Sequence, residues 1–331
     1  MKKTAILLAA TVFALGFTSC KKKGCTDPTA SNYSEEAKKD DGSCVFDDPY
    51  TADFKSFFQS YRDEATQTFS IDPTIWNEVT GTNGTRLQIP ANSFVDASGT
   101  PVTSSVDIAL LEVLDQSSMI LMGLPTTSGN EILISGGELN VEATSGGSDV
   151  FLATGTSIGL LVPTASPDPE MDIFEGTEES DGSVTWSLTA DSTTVVSDST
   201  WGDYYYYDWG KTDLGWINCD YFYSDPNPKS DLTVNVSGPA DHTFDNTQVM
   251  VHFTTLSSVA SGYPISSDPD EDSFLVWNLP EGLELTVIGI SEVDGSYYSA
   301  FVPLTMTLDA VQDITLSPTT TADFEAAVLS L

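Results

Sequence analysis

The sequence predicts a mainly β protein. Its expected plan is two antiparallel β-sandwich domains in tandem, preceded by an N-terminal export segment, a small disulfide loop module and one short amphipathic helix. Three observations lead there. Beyond Phe69, short apolar runs with β-branched alternation recur between clusters of Gly, Asn, Asp, Ser and Thr, the pattern of many short strands joined by turns. A chain of 331 residues has room for about two domains. Hydrophobic residues make up 40% and aromatics 10%, with only 18% charged, which is enough apolar surface for packed cores and speaks against wholesale disorder.

The elements follow in chain order. Lys2 and Lys3 form a positive start, Ala5 to Phe17 an apolar stretch too short to cross a bilayer, and Thr18-Ser19-Cys20 a small-residue end. That is the layout of a secretory signal over residues 1–19. The run Phe17-Thr18-Ser19-Cys20 resembles the lipobox of bacterial lipoproteins, with Phe17 standing where Leu is commoner. The resemblance implies a lipoprotein signal peptide, lipidation of Cys20, and export to the outer membrane or cell surface of the cell envelope. There the acyl chains, rather than a spanning helix, contact the membrane. An ordinary secreted protein with an incidental Cys20 is the alternative.

The remaining cysteines then sort by position. Cys25 and Cys44 lie in one short segment and are expected to form a disulfide in an oxidising compartment. Cys219 is left over as a buried thiol acting as a small hydrophobe. Zinc is disfavoured, since the two histidines, His242 and His252, have no close cysteine pair beside them. Within residues 20–48, Gly24-Cys25-Thr26-Asp27-Pro28 through Asn32-Tyr33 to Asp40-Asp41-Gly42-Ser43-Cys44 resembles the short GCTDPxAxNYxxxAxxDDGSC modules of secreted proteins of Bacteroidetes. Such a module is too small to bury a core and relies on its disulfide. Asp27, Asn32, Asp40 and Asp41 are hard oxygen ligands suited to Ca²⁺; a plain turn with a side-chain cap explains the same residues.

Residues 53–68 carry Phe54, Phe57, Phe58 and Tyr61 at helical spacing, so one face of a helix is expected to pack on the first sandwich. Residues 69–165 then give Leu87-Gln88-Ile89, Val106 to Leu110, Ile132 to Ile134, Leu139 to Val141 and Ile158 to Val162 as strands. Gly84 to Phe94, Gly123 to Thr127 and Ser135-Gly136-Gly137 resemble the ZU5-like β-sandwich found in lipoproteins of Bacteroidetes. That resemblance implies an interaction or scaffold module.

Residues 166–229 read as an acidic, aromatic connecting region. Trp201, Tyr205 and Trp209 head an aromatic stretch that runs on to Trp216 and Phe222. Rings beside carboxylates suit sugar stacking, whereas buried rings suit a seam between sandwiches; Trp216 and Phe222 are expected in such a seam. Residues 230–331 alternate as a second antiparallel sandwich. No Lys or Arg follows Lys229, so packing must hold this part together against its own charge.

Function classes narrow accordingly. With 12 Lys+Arg against 49 Asp+Glu and a net charge of −37, a basic nucleic-acid surface is excluded. GxSxG, HExxH, P-loop and Rossmann signatures are absent from the sequence. His252-Phe253-Thr254 resembles a His-Phe-Ser self-cleavage site but carries Thr for Ser and lies in the second sandwich; a half-exposed strand accounts for it. The expected function is a non-catalytic, membrane-anchored interaction, adhesion or structural protein with a protein or glycan partner. The alternative is a carbohydrate-binding accessory lipoprotein.

Overall fold

Apolar alternation builds the first sandwich. The computed structural model describes residues 22, 23, 34, 37–39, 52–165, 167–179, 182–189, 203–265 and 273–331. In the strand Val106–Val113, Val106, Ile108 and Leu110 enter one core while Leu111 and Val113 enter another, because successive side chains leave a strand on opposite faces. This strand sits in an antiparallel sheet ordered Gln67–Ile71, Val106–Val113, Glu131–Ser145, Gly215–Phe222, Asp172–Glu178 and Val184–Leu188. A second antiparallel sheet, Tyr204–Trp209, Ile158–Pro163, Arg86–Ile89 and Asn77–Thr80, supplies the opposite wall. Leu87, Ile89, Leu160 and Val162 meet Ile108, Leu139, Val141 and Ile217 in the core between them.

The expected connecting region is therefore part of the first sandwich. Strands Asp172–Glu178 and Gly215–Phe222 lie inside its larger sheet, and Tyr204–Trp209 edges the smaller one. Alternating aromatics suit a strand that buries one face, and that preference outweighs the acidic, Pro-containing flank.

The second sandwich follows the expected pattern. One sheet runs Tyr263–Pro264, Ser273–Pro280, Lys229–Ser237 and Val311–Thr315, and the other Val259–Ser261, Thr247–Phe253, Glu284–Val293, Ser296–Thr305 and Ser317–Thr319. Neighbours are antiparallel except Lys229–Ser237 against Val311–Thr315, which is parallel. Leu232, Val234, Phe274, Val251, Phe253 and Val287 fill its core.

Three α-helices occur among the described residues: α1 (Ala52–Ala65), α2 (Gln116–Leu121) and α3 (Thr321–Val328). All three enter an apolar seam between the sandwiches. Leu111, Val113, Leu133, Phe174 and Trp216 come from the outer face of the first sandwich, and Met250, Val259, Ile288 and Ile290 from the second. Phe54 and Phe57, Met119 to Leu121, and Phe324 and Val328 are wedged between. The aromatic stripe of α1 thus packs on more than the first sandwich, since the Phe57 ring lies 5.6 Å from Tyr297 and 6.0 Å from Phe324. Each such side chain contributes about 1.5–3 kcal/mol on burial, so the seam is a core in its own right. Tyr50–Leu331 accordingly forms one compact unit. In the separate unit Met1–Pro49, Lys23 and Lys39 form a parallel bridge and the Lys38 amide donates to the Lys22 carbonyl at 2.8 Å.

Candidate functional site

Polar groups collect at two places on the first sandwich. The first lies on the seam side of the strands Glu131–Ser145 and Gly215–Phe222. Leu139 and Val141 face the sandwich core, so Glu138 and Asn140 face the other way. On the neighbouring strand, Ile217 and Cys219 face the core, and Trp216, Asn218 and Asp220 take the seam side. Glu138 stands opposite Asn218, and Ser135 opposite Asp220 across a bulge between Asn218 and Asp220.

Glu138 and Asp220 are both 0% exposed. Among the described residues, neither Glu138 oxygen has a hydrogen-bond partner, and the same holds for Asp220 Oδ1 and Asn140 Oδ1. Asn218 Nδ2 donates to Asp220 Oδ2 at 2.6 Å, and Ser135 Oγ donates to Asn218 Oδ1 at 3.1 Å. Burial and then the Asp220 charge push the Glu138 carboxyl well above the usual carboxylate range, with Arg62 pulling it part of the way back. Burial likewise raises Asp220, against polar contacts from Ser135, Asn218 and the Gly136 amide.

Arg62 of α1 closes this region. It is 5% exposed and donates to the carbonyls of Met122 at 2.8 Å and Gly182 at 2.9 Å. Its guanidinium stacks 5.5 Å above the Trp216 ring. Beyond it opens a cleft of about 450 Å³ lined by Asn140, Glu142, Glu178, Trp216 and Asp63 among others. Glu142, Glu178 and Asp63 are exposed there. The structure thus separates desolvated acids from solvated ones: Glu138 and Asp220 are buried, and Asp63, Glu142 and Glu178 line the open cleft.

The second place is the outer face of the smaller sheet. Tyr205, Tyr207 and Trp209 point into the core, so Tyr204, Tyr206 and Asp208 point outward. Arg86 lies 6.0 Å over the Tyr204 ring and binds Glu78 through both carboxylate oxygens at 2.7 Å. Tyr206 donates to Asp208 at 2.8 Å, and burial first, then Asp208, pushes its hydroxyl up to about 12.

Several expectations change on this geometry. Tyr205 and Trp209, proposed as a binding surface, are 2% and 3% exposed and cannot stack on a ligand, because the strand turns that face into the sandwich core, alongside Ile158, Leu160 and Val162 of the neighbouring strand. Trp216 lies in the seam as expected, at 5% exposure, whereas Phe222, the last residue of its strand, is 43% exposed with its ring edge on Phe174. Cys219 is a buried free thiol in the first core. His252 is buried on the seam side of its strand, while Thr254 is exposed in the following turn.

Comparison with known proteins gives little. No family model matches the chain, and no curated protein is similar to it. Among solved structures it is similar to the Bacillus anthracis TIE protein, at 10% identity and a TM-score of 0.20. The match covers 64% of this chain and 40% of that one. A likeness at that score carries no argument.

Cys20, Cys25, Cys44, Asp27, Asn32, Asp40, Asp41 and Trp201 lie outside the described residues. Among the described residues no helix is long and apolar enough to cross a membrane. Glu138 and Asp220 were missed in the sequence because 49 acids give no pair distinction. The usable signal was their place in apolar strands, where a charge must be neutralised or satisfied.

Proposed function

We propose that this protein is a lipid-anchored component of the bacterial cell envelope whose two fused sandwiches act as a non-catalytic interaction or structural body. One observation carries the reading. The centre of the space between domains, where ligand sites are preferentially found, is filled here by Phe57, Ile120, Trp216, Ile288, Phe324 and their neighbours, which leaves a cleft of only about 90 Å³ between α1 and the two sandwiches. Beyond that small cleft, partners meet the outer surface. The lipid on Cys20 supplies membrane attachment, and an exported protein of net charge −37 stays soluble beside it.

Fractionation tests the anchor. The wild-type chain should sediment with membranes and Cys20→Ala should appear in the soluble fraction; retention of the variant would contradict the proposal. Cross-linking in intact envelopes should give recurrent neighbours for the anchored form and none for the released one.

A second reading, carbohydrate binding, is supported by the outward rings of Tyr204 and Tyr206 beside Arg86, Glu78, Gln88 and Asp208. Ring faces flanked by planar polar groups suit sugar recognition. Tyr206→Ala should then abolish retention on an immobilised glycan while shifting stability by about 1 kcal/mol or less. Unchanged retention would remove this reading.

A further inference from the structure

We propose that Glu138 and Asp220 hold one proton between them as a buried acid pair, balanced by the charge of Arg62, and that the seam weakens when this proton is lost. The geometry leaves few ways to satisfy these groups. Both side chains are 0% exposed, and an isolated buried carboxylate is costly unless it is paired or neutralised. Asp220 Oδ2 already accepts from Asn218. Both oxygens of Glu138 are without a hydrogen-bond partner among the described residues, as is Asp220 Oδ1, while Ser135 and the Gly136 amide lie close enough to Asp220 to favour its charged form. A proton on Glu138 removes the charge from these orphaned acceptors, and the Asp220 carboxylate on the same face of the sheet favours its retention.

One proton leaves the two carboxylates with a single negative charge, and the Arg62 guanidinium acts on Glu138 to offset it. Arg62 is held in place by the Met122 and Gly182 carbonyls, and its charge acts on Glu138 directly.

The other ionisable groups around the site do not replace this arrangement. Glu142 and Glu178, on the same sheet face, are exposed along the cleft. From the second sandwich, His252 enters the seam, its protonation disfavoured by burial alone. From α3, Glu325 pairs with Tyr61 of α1 at 3.5 Å. The segments nearest α2 add Met119, Ile120 and Leu121, which carry no charge. Asp220 and Arg62 are the charges that act on Glu138.

The direction of the pH effect follows. In the unfolded chain a glutamate releases its proton near pH 4.3; in the folded chain it holds it to higher pH. The folded state therefore binds more protons over that interval, and stability falls as pH rises through it. Surface acids such as Asp72 and Asp96 have lowered values and act with the opposite sign at more acidic pH.

Infrared spectroscopy in D₂O tests the pair. At neutral pH the wild-type protein should show the carbonyl band of a protonated carboxyl, absent from Glu138→Gln. The unfolding constant of the wild type relative to that variant should rise about tenfold per pH unit within the interval. If Glu138→Gln does not fold, the wild-type band is followed alone and should disappear on alkaline titration. No band at neutral pH would overturn the proposal. So would a band that vanishes on adding sodium or calcium chloride at fixed pH, since a metal ion would then occupy the place of the proton.

Discussion

Trp216 ties three parts of the molecule to one ring. Its indole N–H donates to Glu178 at 3.1 Å, its edge meets Trp186 at 6.2 Å, and Arg62 covers its face. Truncating so large a buried group removes transfer energy and leaves a cavity, so Trp216→Ala should cost about 3–5 kcal/mol. Denaturant unfolding measures this, and a near-native midpoint would show that the ring does not support the seam. At this scale the sequence was partly legible. Alternation around Cys219 put Trp216 on a buried face, and a lone cysteine among apolar residues put Cys219 in a core. Four consecutive tyrosines showed that two rings must face each way, but not which pair was inside. That choice is made by the partner strand Ile158–Pro163, which local alternation does not specify.

Among the elements, the strand Asp172–Glu178 depends on a residue with no side chain. A Cβ on Gly176 would lie 2.5 Å from Trp216 Cβ, 2.7 Å from Val184 and 2.8 Å from Trp186. Strands on both sides are fixed by their own pairing, so they have little freedom to withdraw. Gly176→Ala should therefore destabilise by about 1–3 kcal/mol through overpacking, even though alanine suits a strand no worse than glycine. A thermal or denaturant midpoint equal to wild type would contradict the close fit. Strands and α1 were readable from periodicity. The other two helices were not, because each is short and their packing, not their pattern, stabilises them. Their caps were the available signal: Asp115 accepts from the Ser118 amide, and Thr320 from the Asp323 amide, each three residues ahead of its partner. Residues 166–229 were misplaced as a connector for a related reason. Their acidic, Pro-containing start masked four strands, of which Tyr204–Trp209 and Gly215–Phe222 pair with strands earlier in the chain.

For the whole molecule, the expected mainly β architecture of two sandwiches is present, but the boundary between them is not a linker. The seam takes side chains from both sandwiches and all three helices, and Gln116 Nε2 adds hydrogen bonds to the carbonyls of Phe253 and Ser258 at 2.9 and 2.8 Å. Charge could not have done this, since no Lys or Arg follows Lys229 and ion pairs at exposed sites contribute little. Apolar burial joins the halves instead, which is why hydrophobic pattern was a better guide to this chain than its acidity. A body joined in this way should present its outer faces as one surface and should lose them together. Scanning calorimetry of the mature chain tests that most directly. Two sandwiches sharing one seam should unfold in a single transition with equal calorimetric and van't Hoff enthalpies; two resolved transitions, one for each sandwich, would contradict it.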